Sequence, residues 1–356
     1  MNQIVETPDL FLDRQDRVSF RDITNLMEFP FFSISKTKVM EKRIYDDGKV
    51  RFEVRPGPEG LATIWDKDLL IFVASHINRC MNEGVPVSQR VRFHAHDFFV
   101  SCGRSTGGRA YQDLEAALDR LQSTTIRTNI KTGASTNEKG FFSWIKSGKL
   151  TERELPNGRK VTGMVEVEME DWLWRQIVED RTILSIDAGY FKLTSGIARR
   201  VYELARKHCG TQPTWSINLL RLAEKIGYED KNTRYFKQVV LDIVQANDLP
   251  EYQISLSLAG DKSDTALVDA KLVRGLKALK VVFHRRANAS DRRVTRRTAQ
   301  IASDTRVETA PNVSERRVEP RFAPEHIDDP VTAADFASFP DLVKSLVAKK
   351  GASEPQ

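Results

Sequence analysis

Cysteine is scarce in this sequence. Cys80, Cys102 and Cys209 are the three present in 356 residues, with no Cys-x-x-Cys pair among them. So odd and sparse a set excludes a disulfide framework and fits a reducing compartment. His208-Cys209 has no second pair at metal-ligand spacing, so a structural zinc is not expected. Long hydrophobic runs are lacking as well. The longest, Leu69 to Ala74, is far short of the about 20 apolar residues of a bilayer span, so no membrane partner is expected. The N-terminus lacks a basic segment followed by an apolar core, so no secretory signal is expected. No GxxxxGK[ST] run is present, which excludes a Walker-type ATP site. No Ser-His-Asp grouping and no paired carboxylates stand out, and no cofactor is expected.

What remains is ample for folding. Hydrophobic residues make up 40% of the chain and charged residues 29%, and the mean hydropathy is -0.42. This length supports two domains plus tails. The net charge of +6 and a pI of about 9.1 favour an anionic partner, nucleic acid first.

In chain order, residues 1–27 read as a flexible arm carrying one apolar island, Pro8-Asp9-Leu10-Phe11-Leu12. The island either packs loosely on the body or docks on a partner. Its Asp-Leu-Phe resembles the tail of short peptides that bind bacterial sliding clamps, although the leading Gln-Leu is absent. Met27 to Lys36 (MEFPFFSISK) predicts an edge strand. Arg43 to Val54 alternates around Asp47-Gly48, a hairpin signal. A helix follows over about 65–82, then a short strand over 91–93, a short helix from His96 to Ser101 and a helix over about 109–122. Strands are predicted over 124–130, 141–145 and 161–168, the last two bracketing a polar tip at Pro156-Asn157-Gly158-Arg159. A short helix over 171–180 ends the unit near 180–188.

The same order then recurs: a helix over about 194–208, a strand at Trp215, a helix over 219–226, a helix over 232–247, a strand over 252–258, a turn over 259–264 and a strand over 281–284. The two units lie roughly 125 residues apart, too far for a solenoid repeat. The expected fold class is α+β: two tandem winged-helix domains (helix-turn-helix plus β-hairpin) over 28–180 and 181–285, with flexible tails. In the C-terminal tail, 286–356, apolar content collapses. Arg285, Arg286, Arg292, Arg293, Arg296 and Arg297 fall within thirteen positions, reading as a disordered basic arm that lies on phosphates. An amphipathic segment follows at 334–349.

The helix over 232–247 carries the sharpest signal. Tyr235, Phe236, Val239, Val240, Ile243 and Val244 form an apolar stripe on a 3.6-residue period. Asn232 or Thr233 caps its start, and Pro250 stops it. Lys231, Arg234, Lys237 and Gln238 face other directions in its first half. Such a helix suits a DNA major groove. Arg234, Lys237 and Gln238 are the expected base or near-base contacts, with Lys231 and Lys262 on phosphate. The equivalent helix over 109–122 exposes Asp113, Glu115 and Asp119, which phosphates repel. Its unit is therefore read as a dimerisation or packing module touching backbone through Arg104 and Arg109. One enzyme-like constellation remains: His94-Ala95-His96 on one strand face, with Tyr111 downstream. It resembles the His-hydrophobic-His element of rolling-circle nickases, which pair a divalent metal with a tyrosine nucleophile. In the other reading His94 and His96 sit at a strand-to-helix junction, where His96 or Asp97 caps the helix.

MEFPFFSISK, the block GRSTGGRAYQDLEAALDRLQSTTIRTNI, and IDAGYFKLTSGIARRVYELARKHCG with the second helix-turn-helix together resemble the plasmid replication initiator protein A family, over roughly residues 27–285. The resemblance implies a non-enzymatic, two-winged-helix cytoplasmic bacterial protein. It would bind repeated sequences in double-stranded plasmid origin DNA, open nearby DNA and help recruit host replication machinery: helicase loading, with the sliding clamp as a further candidate. It also implies a homodimer or a monomer–dimer equilibrium through the first unit. A strand nickase and a winged-helix transcriptional repressor are the alternatives.

Overall fold

The computed structural model describes residues 10–12, 19–133, 140–154, 160–230, 232–262 and 269–286. The backbone opens with strand β1 (Leu10–Leu12), which runs parallel to β5 (Arg90–His94) at a sheet edge. The backbone of Leu10–Leu12 within the arm's apolar island thus joins the body's sheet, while Pro8 and Asp9 lie outside the described residues. β2 (Arg21–Ile23) follows and leads directly into α1 (Thr24–Glu28).

The edge strand predicted over 27–36 does not form. α1 ends at Glu28, and the chain beyond it joins its neighbour through one isolated bridge, Ser33 to Thr63. Pro30 has no N–H for a ladder. Phe31 and Phe32 instead plug the core, stacked on Phe52 at 4.1 Å and on Trp144 at 4.4 Å.

β3 (Arg43–Asp46) and β4 (Arg51–Arg55) make the expected hairpin. Gly48 takes φ +90°, and the Asp47 carboxylate accepts the N–H groups of Lys49 and Val50. α2 (Lys67–Asn82), β5, α3 (Ala95–Ser101), α4 (Gly108–Ser123) and β6 (Thr125–Thr128) come next. β6 completes the three-stranded sheet β3-β4-β6. β7 (Ile145–Glu154) and β8 (Lys160–Met169) form a long hairpin that closes the sheet β1-β5-β8-β7. The polar tip at 156–159 lies outside the described residues. α5 (Asp171–Val178) and β9 (Ile183–Ser185) return the chain to pair with β2.

The second pass runs α6 (Gly196–His208), β10 (Thr214–Asn218), α7 (Leu219–Ile226), α8 (Thr233–Ala246), β11 (Tyr252–Leu258) and β12 (Leu279–Arg285). Its antiparallel sheet has the order β10-β12-β11. The order helix, strand, helix, helix, hairpin therefore occurs twice, with β6 inserted ahead of the hairpin in the first pass.

The two passes share one continuous apolar core from Phe20 to Phe283. At Gly196 an added Cβ would meet the Ile34 carbonyl oxygen at 2.3 Å, so only glycine lets α6 approach the 29–36 segment this closely. α6 also carries charge into the core. Glu203 accepts hydrogen bonds from Lys67 at 2.9 Å and Tyr190 at 2.7 Å, and pairs with Arg200; Lys67 donates in turn to Asp22 at 2.7 Å. All of these side chains are buried. Burial pushes the Asp22 carboxyl up to about 6, with Lys67 opposing and Glu203 adding to the rise. Burial also pushes Glu203 up, but Lys67, Arg200 and Tyr190 outweigh it and hold that carboxyl below its ordinary value.

Candidate nucleic-acid interface

α8 starts at a side-chain cap: the Asn232 oxygen accepts the Tyr235 N–H at 3.0 Å. The helix ends on Asn247 in the left-handed region, φ 50°, three residues before Pro250. Phe236, Val240 and Ile243 are buried beneath it, while Val239 and Val244 are half-buried. Tyr235 leaves the predicted apolar stripe. It is 56% exposed, standing beside Arg234 on the solvent side, because the core closes over the positions one turn further on.

The exposed first half of α8 thus presents Asn232, Thr233, Arg234, Tyr235 and Gln238. No carboxylate among the described residues pairs with Arg234. Gln238 donates its amide to Asp242 at 2.7 Å. Lys237 turns elsewhere. Its ammonium donates to the carbonyl oxygens of Lys271, at 3.2 Å, and Val273, at 2.6 Å. It ties the β11–β12 loop to the helix rather than reaching outward. Lys231 lies outside the described residues, as do Arg292 and Arg293.

Lys262 is exposed at the start of the β11–β12 loop. The returning part of that loop exposes Lys271, Arg274 and Lys277, which the sequence reading passed over. Their signal was available in KLVRGLKALK, where a cation recurs about every third position. Arg285 Nη1 reaches the Thr211 carbonyl at 3.5 Å. Arg286 donates to the Tyr252 carbonyl and to both oxygens of Asn247, so it closes the C-terminal end of α8, opposite the exposed half.

The corresponding region of the first pass is built differently. α4 exposes Asp113, Glu115 and Asp119. Arg109 is 84% exposed and pairs with Asp113 at 3.1 Å. Arg120 makes a two-pronged contact with Asp66, both bonds 2.7 Å. Arg104 bonds Asp68 at 2.7 Å and the Trp65 carbonyl, which anchors the α3–α4 turn to α2. Salt-paired guanidinium groups offer phosphate less than the solvated cations of the second pass.

His94 and His96 do not share a strand face. β5 ends at His94, which stands at the start of α3 without a side-chain cap hydrogen bond, and His96 is already helical. The His94 Nδ1 lies 3.0 Å from the Gly163 carbonyl oxygen, and His96 sits 3.8 Å from Asp97. Tyr111 stands edge-on to Phe99 at 4.9 Å. Among the described residues no group of three or more His, Cys, Asp or Glu side chains is placed to hold a metal ion. None of the described helices is long and apolar enough to cross a membrane.

Comparison with known proteins bears on this arrangement. The family model described as "Replication initiator protein A" matches residues 21–254. A protein of Wigglesworthia glossinidia brevipalpis named "Putative replication protein" is 35% identical over 246 residues, which is 68% of this chain and 87% of that one. The crystal structure of domains 2 and 3 of RctB aligns with a TM-score of 0.50 at 13% identity, covering 74% of this chain and 98% of that one. A second crystal structure of the same two domains gives 0.48, also at 13% identity, covering 73% and 96%. At this identity the likeness to RctB is one of fold: a mixed helix-and-sheet arrangement spanning the length of those domains. The sequence matches go further. The chain belongs to the replication initiator protein A family, which places it in replication initiation.

Proposed function

We propose that the chain is a cytoplasmic plasmid replication initiator that binds repeated sequences in double-stranded origin DNA through α8. The observation that carries this reading is the contrast between the two equivalent helices. The exposed N-terminal half of α8 has Arg234, Tyr235 and Gln238 and no carboxylate, whereas that of α4 exposes Asp113 and Glu115; over their full lengths α8 exposes one carboxylate, Asp242, and α4 three. A groove-reading helix must present donors and apolar contacts where phosphates flank it, and carboxylates there are repelled. In this reading each pass is a winged helix. The second reads sequence, with Lys262 and the loop cations Lys271, Arg274 and Lys277 on backbone phosphates. The first assembles a homodimer and touches DNA chiefly through Arg109. The chain acts without catalysing a reaction: it opens DNA near its sites and recruits host replication proteins, with the basic tail holding phosphates.

Footprinting on the replicon's own DNA tests the proposal. Protection of several direct repeats is the expected result. Protection confined to one inverted repeat at a promoter would instead make the chain a repressor of the same fold.

A further inference from the structure

The start of α8 holds one aromatic ring in solvent. Tyr235 is the third residue of the helix, and its N–H is tied to the Asn232 cap at 3.0 Å. The turn that begins the helix therefore also sets the position of this residue. Its neighbour Phe236 fills the core beneath. Phe236 is buried and packs on Tyr228 with ring centroids 4.9 Å apart. Tyr235 is not needed there and is 56% exposed. Among the described residues no other ring stacks on it, and its hydroxyl makes no hydrogen bond.

Successive residues of an α-helix are turned by about 100°. On that wheel the exposed residues Arg234, Gln238, Asp242 and Tyr235 form one stripe. Gln238 runs along its middle, with Arg234 on one edge and Tyr235 on the other. Lys237 lies on the Arg234 side and holds the β11–β12 loop there. The stripe thus has a donor edge beside the loop and an aromatic edge away from it.

In a major groove the base edges present hydrogen-bonding groups, and thymine adds a C5-methyl. A phenol ring with free apolar surface has that methyl as its natural partner in the groove. We propose that Tyr235 is a specificity-determining residue, selecting thymine at one position of each repeat by packing its ring on the C5-methyl. The proposal rests on the reading of α8 as the groove helix and adds the base that its aromatic edge selects. The ring carries the contact, and the hydroxyl is not required.

The test uses the full chain and fluorescence anisotropy with the duplex repeat protected in footprinting. Its thymines are replaced one at a time by deoxyuridine, which pairs alike and lacks the methyl. At one position the unaltered chain should bind the uracil duplex about 4-fold more weakly, the effect of one methyl group left in water. Tyr235→Ala should bind the thymine and uracil duplexes equally, whereas Tyr235→Phe should keep the difference. Arg234→Ala should weaken binding to both duplexes and leave their ratio unchanged. A repeat in which no thymine shows the effect would overturn the proposal while leaving α8 as the reader. So would a difference that survives in Tyr235→Ala, or one that is lost in Tyr235→Phe. Full-strength binding by Arg234→Ala would instead overturn the α8 reading, and this proposal with it.

Discussion

Arg234 and Lys237 lie three positions apart on α8 and end in different surroundings. The exposed Arg234 meets no carboxylate among the described residues, whereas the Lys237 ammonium is spent on two carbonyl oxygens of the β11–β12 loop. The helical period placed both away from the core. It had no means of showing that a loop some 35 residues downstream in the chain would fold back to capture one of them. Arg234→Ala is expected to cost about 1–3 kcal/mol on a cognate repeat, measured as a ratio of dissociation constants, with little change on random duplex. An equal loss on both would make Arg234 a phosphate contact. Tyr235 shows the same limit from the other side. Its spacing fits the apolar stripe, yet its ring is left 56% exposed to solvent.

At the scale of elements, the junction of α1, α6 and α7 depends on Glu28. Burial pushes this carboxyl up, but the close His208 imidazole and hydrogen bonds from Lys207 and Lys225 outweigh it and hold the group well below its ordinary 4.5. His208 and Lys207 approach it at 2.7 and 2.6 Å, and Lys225 also contacts it. A depressed carboxylate contributes stability above the unfolded-state pKa, and that contribution is lost as pH falls through the folded-state value. Glu28→Gln should therefore lower unfolding free energy by about 1–3 kcal/mol at pH 7. The difference from the unaltered chain should shrink steadily below pH 4.5, as read from urea denaturation at several pH values. A difference independent of pH would mean that Glu28 contributes shape and not charge. The elements themselves were largely legible. Each of α2, α4, α6, α7 and α8 falls within two residues of its predicted span, because apolar periodicity and caps are local properties. The 27–36 segment was not, since its aromatic richness reads equally as strand or as core plug, and only the partners Phe52 and Trp144 decide.

For the molecule as a whole, the salient fact is that the two passes share charges inside one core. Lys67 from α2 lies between Asp22 and Glu203, all three about 1% exposed. Lys67→Met should cost about 3–5 kcal/mol, because it leaves two carboxylates buried with too little positive charge beside them. Equilibrium denaturation measures it, and a loss below about 1 kcal/mol would mean that water reaches the site. The tail belongs to this scale too. Deleting residues 287–321 leaves Arg286 in place on Asn247. It should weaken binding to every duplex and flatten its dependence on salt, since fewer counterions are released. An unchanged salt slope would remove the arm from DNA binding.

By itself the sequence determined the order of the main helices and hairpins, their repetition, and that α4 exposes more carboxylates than α8. These follow from period, caps and charge, which each segment holds within itself. Tertiary structure alone decided that Lys237 braces a loop, that His94 and His96 part at the end of a strand, that α6 carries charges into a common core, and that Tyr235 stands in solvent while Phe236 fills the core. Each of these depends on residues distant in sequence, brought together by packing that no local pattern encodes.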